Sequence, residues 1–170
     1  MNARPKRPIV IGVIGGERPP AEAEVLAEKV GELIAKRGGI VICGGLGGCM
    51  EHACLGASRA GGISVGILPG DRKETASPYV TIPIVTAMGT TRNTIIVRTA
   101  DALIAVDGNF GTLTEIVYSL DMKKPLALLG SWPVGKLGVD PSLFFEASTP
   151  EEAVKFAFDE VAKRNATAKP

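Results

Sequence analysis

The 170-residue chain is long enough to bury one sizeable core, and 45% hydrophobic with 22% charged residues is ordinary for a globular protein. A net charge of +1 argues against a broad basic field for nucleic acid or anionic membrane, so a small ligand is the expected partner. The basic stretch Met1 to Pro8 precedes an apolar run, Ile9 to Ile14, too short for a signal peptide or a membrane span, and a cytoplasmic protein is expected.

Ile9 to Ile14 is a β-branched run that stops at Gly15-Gly16, the pattern of a strand buried on both faces. After Pro19-Pro20, the spacing of Leu26, Val30, Leu33 and Ile34 predicts a helix with one buried face, stopped by Lys36-Arg37-Gly38. The unit repeats with a strand at Ile40 to Cys43, a glycine turn at Gly44 to Gly48 and a helix from Cys49 to Arg59. A third strand runs from Ile63 to Leu68. Pro69 to Met88 reads as a long loop with a short strand at Ile82 to Val85, leaving open whether it closes as a lid. Then follow a helix at Thr91 to Thr99, a strand at Ala102 to Val106, a turn at Asp107 to Gly111, a helix at Thr112 to Lys123 and a strand at Leu126 to Leu129. Beyond a Gly/Pro-rich connection, a last helix from Glu151 to Lys163 is capped by Thr149-Pro150.

Strand, glycine turn and helix in succession require right-handed crossovers. The expected fold is therefore α/β: a Rossmann-like, doubly wound, mainly parallel sheet with helices on both faces. One domain is expected across residues 1–170, its core at about 9–164 and its two tails flexible. In such a sheet ligands sit outside the carboxyl ends of the strands, so Gly15, Gly16, Gly44, Gly45, Gly47, Gly48, Gly108 and Gly111 should line one rim. Glycines there let backbone approach a phosphate, and helices that start there aim free N–H groups at it. No Gly-x-x-x-x-Gly-Lys-Ser/Thr loop and no complete Gly-x-Gly-x-x-Gly occur, and no acidic residue ends the second strand, which disfavours nucleoside triphosphates and NAD.

Thr112-x-x-Glu115 has the spacing of a capping box; a carboxylate one turn into a helix on this rim could equally accept ribose hydroxyls or move a proton. Arg92, near a helix start, either meets a phosphate, pairs with Glu115 or lies exposed, and Arg98 reads as a solvated or interface side chain. Cys43, Cys49 and Cys54 read as free thiols of a reducing compartment. Cys49, His52 and Cys54 lack paired metal-ligand spacing, so no metal site is expected, and His52 alone makes no catalytic triad.

Four segments together, Gly44-Gly45-Leu46-Gly47-Gly48-Cys49-Met50-Glu51, Gly89-Thr90-Thr91-Arg92-Asn93, Asp107-Gly108-Asn109-Phe110 and Gly111-Thr112-Leu113-Thr114-Glu115, resemble the LOG or "lysine decarboxylase-like" (SLOG) superfamily. The likeness runs from about Ile9 to Glu160 and is strongest to the branch that holds molybdenum cofactor carrier proteins. LOG phosphoribohydrolases, which cleave the N-glycosidic bond of nucleoside 5′-monophosphates, carry Pro-Gly-Gly-x-Gly-Thr-x-x-Glu with an upstream Arg-Lys pair. This chain keeps Arg92, Gly108, Gly111, Thr112 and Glu115 but has Asp107 for the proline, Asn109 for the second glycine and Asn93 for the lysine. The resemblance implies a homodimer or homotetramer, a ligand such as molybdenum cofactor or a nucleoside monophosphate, and no required cofactor. Arg92, Asn93, Asn109, Thr112 and Glu115 join the glycines as binding residues; in a hydrolase Glu115 and Arg92 would be catalytic. Lysine decarboxylation is rejected, because a pyridoxal Schiff base needs a lysine and none lies in the three glycine turns. The two readings left are a carrier and a phosphoribohydrolase, with an oligomerisation module as a third.

Overall fold

A computed structural model describes residues 7–167; the two tails expected to be flexible lie largely outside the described residues. Seven strands form one sheet in the order β4-β3-β2-β1-β5-β6-β7, and every neighbouring pair is parallel. The strands are β1 (Val10–Gly15), β2 (Ile40–Cys43), β3 (Ile63–Leu68), β4 (Ile82–Val85), β5 (Ala102–Val106), β6 (Leu126–Leu129) and β7 (Phe144–Ala147). The helices are α1 (Ala21–Lys36), α2 (Cys49–Arg59), α3 (Asn93–Thr99), α4 (Phe110–Asp121) and α5 (Pro150–Thr167).

Alternation along the central strands divides the core in two. Ile11, Val13, Val41, Ile104 and Val106 face α1, α2 and α5 on one side of the sheet. Ile14, Ile42, Leu103, Ala105 and Leu128 face Ile96 and Val97 of α3 and Ile116 and Leu120 of α4 on the other. This burial on both faces explains why the central strands read as unbroken apolar runs. From β1 the chain winds outward to β4, then crosses back to lay β5 on the free side of β1. The carboxyl ends of β1 and β5 thus diverge into opposite helical layers, which opens a crevice at that switch point.

Three features depart from the sequence reading. The Gly/Pro-rich connection holds β7, an edge strand whose Phe144 and Phe145 pack toward opposite faces. Its four residues follow a one-turn 3-10 segment, too short a pattern to separate from loop by periodicity. Helix α4 begins at Phe110 rather than Thr112, because the Asn109 side chain caps it by accepting the Gly111 N–H at 3.0 Å. Thr112 and Glu115 therefore form no capping box and lie inside the helix. The box chemistry appears instead at α5, where Thr149 Oγ1 accepts the Glu152 N–H and the Glu152 carboxylate accepts the Ser148 N–H.

Candidate functional site

The crevice between β1 and β5 holds a cavity of about 180 Å³ lined by Gly15, Gly44, Arg92, Asn93, Asn109, Gly111, Thr112 and Glu115 from the sequence-predicted set. Glu17, Leu46, Met50, Pro69 and Thr90 join them. Leu46, Met50 and Thr90 belong to the family-like segments without being expected binding residues, whereas Glu17 and Pro69 lie outside those segments. Glu17 follows the Gly15-Gly16 turn and was the one that could have been found by position. Gly16, Gly45, Gly47, Gly48 and Gly108 do not line the cavity. Gly16 joins the two turns instead: its carbonyl accepts the Cys49 N–H at 3.0 Å, and a Cβ on Gly48 would stand 2.4 Å from the same oxygen, while the Gly45 carbonyl accepts the Ser77 N–H at 2.9 Å.

Arg92 closes a 3-10 turn, Gly89–Arg92, just before α3, and is buried with only 8% of its surface exposed. One Nη donates to the Asn93 carboxamide oxygen, while Nε is buried without a partner. The guanidinium lies against Gly44, where a Cβ would stand 2.4 Å from Nη2 and 2.6 Å from the Met50 sulfur. A glycine at position 44 is thus a requirement of close approach, which the glycine-turn argument anticipated only in general form.

Glu115, 6% exposed, reaches Arg92 at 3.9 Å, too long for a hydrogen bond. Burial pushes its carboxyl up to about 8, against the opposing pull of the Arg92 charge. Burial likewise lowers Arg92, with Glu115 and Cys43 opposing. Near neutral pH the crevice therefore carries a guanidinium faced by a largely protonated acid, with Glu17 as the further acid that lines the recess and acts on Arg92. One turn before Glu115, the Thr112 hydroxyl is buried without a partner. Arg92 Nε and Thr112 Oγ1 are thus orphaned donors of two residues that line one cavity, and buried polar groups ordinarily find partners.

The turn after β5 is built differently from the LOG pattern. Asp107 sits at φ +52°, a conformation that a proline, fixed near −65°, cannot enter. Ser131 Oγ donates to the Asp107 carbonyl and Trp132 Nε1 to the Asn109 carbonyl at 3.3 Å, so the loop after β6 holds this turn in place. The Asn109 carboxamide occupies the Gly111 N–H that an unsubstituted glycine turn would leave for a ligand.

Of the remaining candidates, Cys49 enters one core with its Sγ against the Val106 carbonyl, and Cys54 meets Cys43 at 3.5 Å in another cluster. All three thiols are free and buried. His52 is half-buried, with Nδ1 at 3.0 Å from the Gly48 carbonyl. Arg98 is exposed. Among the described residues no helix is long and apolar enough to cross a membrane.

An uncharacterized protein of Archaeoglobus fulgidus is 42% identical over 153 residues, 90% of this chain and 97% of that one. The molybdenum cofactor binding protein of Rippkaea orientalis superposes with a TM-score of 0.85 at 35% identity, covering 91% of this chain and 98% of that one. The molybdenum cofactor carrier protein of Chlamydomonas reinhardtii gives a TM-score of 0.84 at 34% identity, covering 92% and 99%. The family model of SLOG cluster4 matches residues 8–162, and the chain belongs to that family.

Proposed function

We propose that this protein binds a phosphorylated pterin- or nucleotide-like small molecule in the switch-point crevice and holds it without cleaving it, molybdenum cofactor being the leading candidate. The observation that carries this reading is Arg92: a buried guanidinium with an orphaned Nε, packed on a glycine and facing an acid that burial keeps largely protonated. The acid that faces this group makes no hydrogen bond to it, and a phosphate supplies charge with matching geometry. Thr112 Oγ1 would donate to the same anion or a neighbouring hydroxyl, and Glu115, protonated, would donate to an acceptor of the ligand. Similarity to the Rippkaea and Chlamydomonas proteins, in whose names the molybdenum cofactor stands, supports this choice of ligand.

The experiment is a thermal-shift series with isolated molybdenum cofactor and nucleoside 5′-monophosphates, run beside an assay for released base. Selective binding to the folded chain raises its stability. Stabilisation without base release, lost in Arg92→Ala, is the expected result. Base release that disappears in Glu115→Gln would establish the phosphoribohydrolase instead. That second reading has one observation in its favour, since a carboxyl raised to about 8 is poised as a proton donor near neutral pH. Against it stand Asn93 for the pattern's lysine and the closed Gly111 amide.

A further inference from the structure

A second cavity opens on the same rim, at the carboxyl ends of β6 and β7. It holds about 360 Å³ and is lined by Leu128, Gly130, Ser131, Trp132, Glu146 and Ser148 among others. The crevice and this cavity meet through one hydrogen bond, because Asn109, which lines the crevice, receives the Trp132 indole N–H. Phe110, the first residue of α4, lies between crevice residues Asn109 and Gly111 and is 80% exposed, yet its ring stacks on Trp132 at 6.2 Å with planes 30° apart. The half-buried Trp132, which lines the cavity, and the exposed Phe110 stacked on it offer an aromatic surface for a flat ring. Glu146 supplies the other half. It is exposed on β7, lines the cavity and forms no ion pair among the described residues.

We propose that this second cavity receives the ring of the ligand, and that Glu146 selects a ring with a 2-amino-4-oxopyrimidine edge, the edge shared by guanine and pterins. That edge presents a ring N–H and an exocyclic amino group side by side, two donors that a single carboxylate accepts together. Adenine and hypoxanthine lack the adjacent pair, so covering the carboxylate with either ring would remove water from it without supplying two donors. Trp132 and Phe110 provide the stacking face, and the turn Asn109 to Gly111 lies between this cavity and the crevice that holds Arg92. The inference rests on the proposed function, since it assigns the remainder of the same ligand.

Trp132 is the only tryptophan of the chain, so ring binding has its own optical readout. Quenching of its fluorescence would be titrated with GMP, IMP and AMP for the natural protein, Glu146→Gln and Phe110→Ala, with unliganded melting temperatures as the control for folding. GMP should bind at least about tenfold more tightly than IMP or AMP, the scale of a charged hydrogen-bond pair, and Glu146→Gln should remove that preference while keeping the affinity for IMP. Displacement of bound GMP by guanosine or by 6-hydroxymethylpterin tells which ring source the cavity prefers. Molybdenum cofactor should bind more weakly to Glu146→Gln and Phe110→Ala than to the natural protein. Equal affinity for the three nucleotides, or cofactor affinity unmoved by both substitutions, overturns the ring assignment and leaves the phosphate site standing. Failure of every phosphorylated compound and of the cofactor to bind overturns the proposed function, and the ring assignment with it.

Discussion

Arg92 Nη1 and Glu115 Oε1 lie 3.9 Å apart with about nine-tenths of each side chain withdrawn from solvent, and the separation leaves the acid without a direct hydrogen bond from the base. At that distance attraction does not repay the desolvation of both ions, which is why Glu115 rises although a cation faces it. The outcome is a buried guanidinium whose facing acid is held largely in its neutral form.

The first prediction follows from the titration of Glu115. Its carboxyl moves from 4.5 in the unfolded chain to about 8 when folded. Between those values the folded state holds a proton that the unfolded state has released. This contribution to stability is therefore complete below about pH 4.5 and is lost as pH rises through 8, with a slope no steeper than about 1.4 kcal/mol per pH unit. Glu115→Gln should flatten urea-unfolding stability across this window and be the more stable protein above pH 8. Parallel curves for the two proteins would show that Glu115 is ionised in the folded state.

Arg92 should display the opposite balance of stability and binding. With its acid largely protonated, the guanidinium is a buried charge short of compensation, and an apolar side chain of similar length relieves it. Arg92→Met should leave stability near pH 6 unchanged or raise it by about 1 kcal/mol while abolishing stabilisation by phosphorylated ligands. A loss of several kcal/mol would mean that Arg92 is a structural group. Gly44→Ala tests the same site from the other side. Its methyl would overlap Nη2 and the Met50 sulfur, so ligand affinity should fall with the fold retained.

The fold was readable because both faces of the central strands are buried, so that Ile9 to Ile14 and Ala102 to Val106 carry an unmistakable β-branched or apolar signature. Edge strand β7, half solvated and four residues long, carries none. At the site, residues fixed by strand ends, such as Gly15 and Gly44, could be placed from order alone. The role of Thr112 could not. Its spacing to Glu115 suits a cap, and only the earlier start of α4 at the Asn109 cap turns both side chains inward. Likewise Trp132 and Glu146 lie 14 residues apart and meet at one cavity through the pairing of β6 with β7, a long-range fact with no local pattern.

The cysteines offer a test of packing. Cys43 and Cys54, one on β2 and one on α2, bring their sulfurs to 3.5 Å with no exposed surface. Thiol reagents need the thiolate and access to it. Cys43 is raised by its hydrogen bond to Cys54 and by burial, and Cys49 is pushed up to about 12 chiefly by burial; Cys54 is lowered by its hydrogen bond with Cys43, so its protection rests on burial alone. Labelling of the native protein by a water-soluble aromatic disulfide should run at the rate of unfolding, and three thiols should react at once in denaturant. Rapid reaction of one thiol under native conditions would reveal local opening of the Gly44 to Gly48 turn.

Helices α1 and α2 form the layer that packs beneath the first two glycine turns. They cross so closely that a Cβ on Gly31 would stand 1.9 Å from the Ala53 carbonyl oxygen, and one on Gly56 would stand 1.9 Å from that of Glu28. These neighbours are backbone, so the collision cannot be relieved by a rotamer change, and the helices would have to separate. Elsewhere in a helix, glycine to alanine gains about 1 kcal/mol from propensity. Here overpacking of about 3 kcal/mol should exceed that gain, giving a net loss of about 2 kcal/mol for Gly31→Ala and for Gly56→Ala. The two changes act on one interface, so the double variant should lose less than the sum of the singles, because helices already parted by one methyl admit the second more cheaply. Strict additivity in urea unfolding would mean that each methyl is accommodated locally and that the helix spacing is not the shared variable. Separation of α2 from α1 also shifts Gly48 and Cys49 against Gly16, so ligand-induced stabilisation should decline in the same variants even at temperatures where they remain folded.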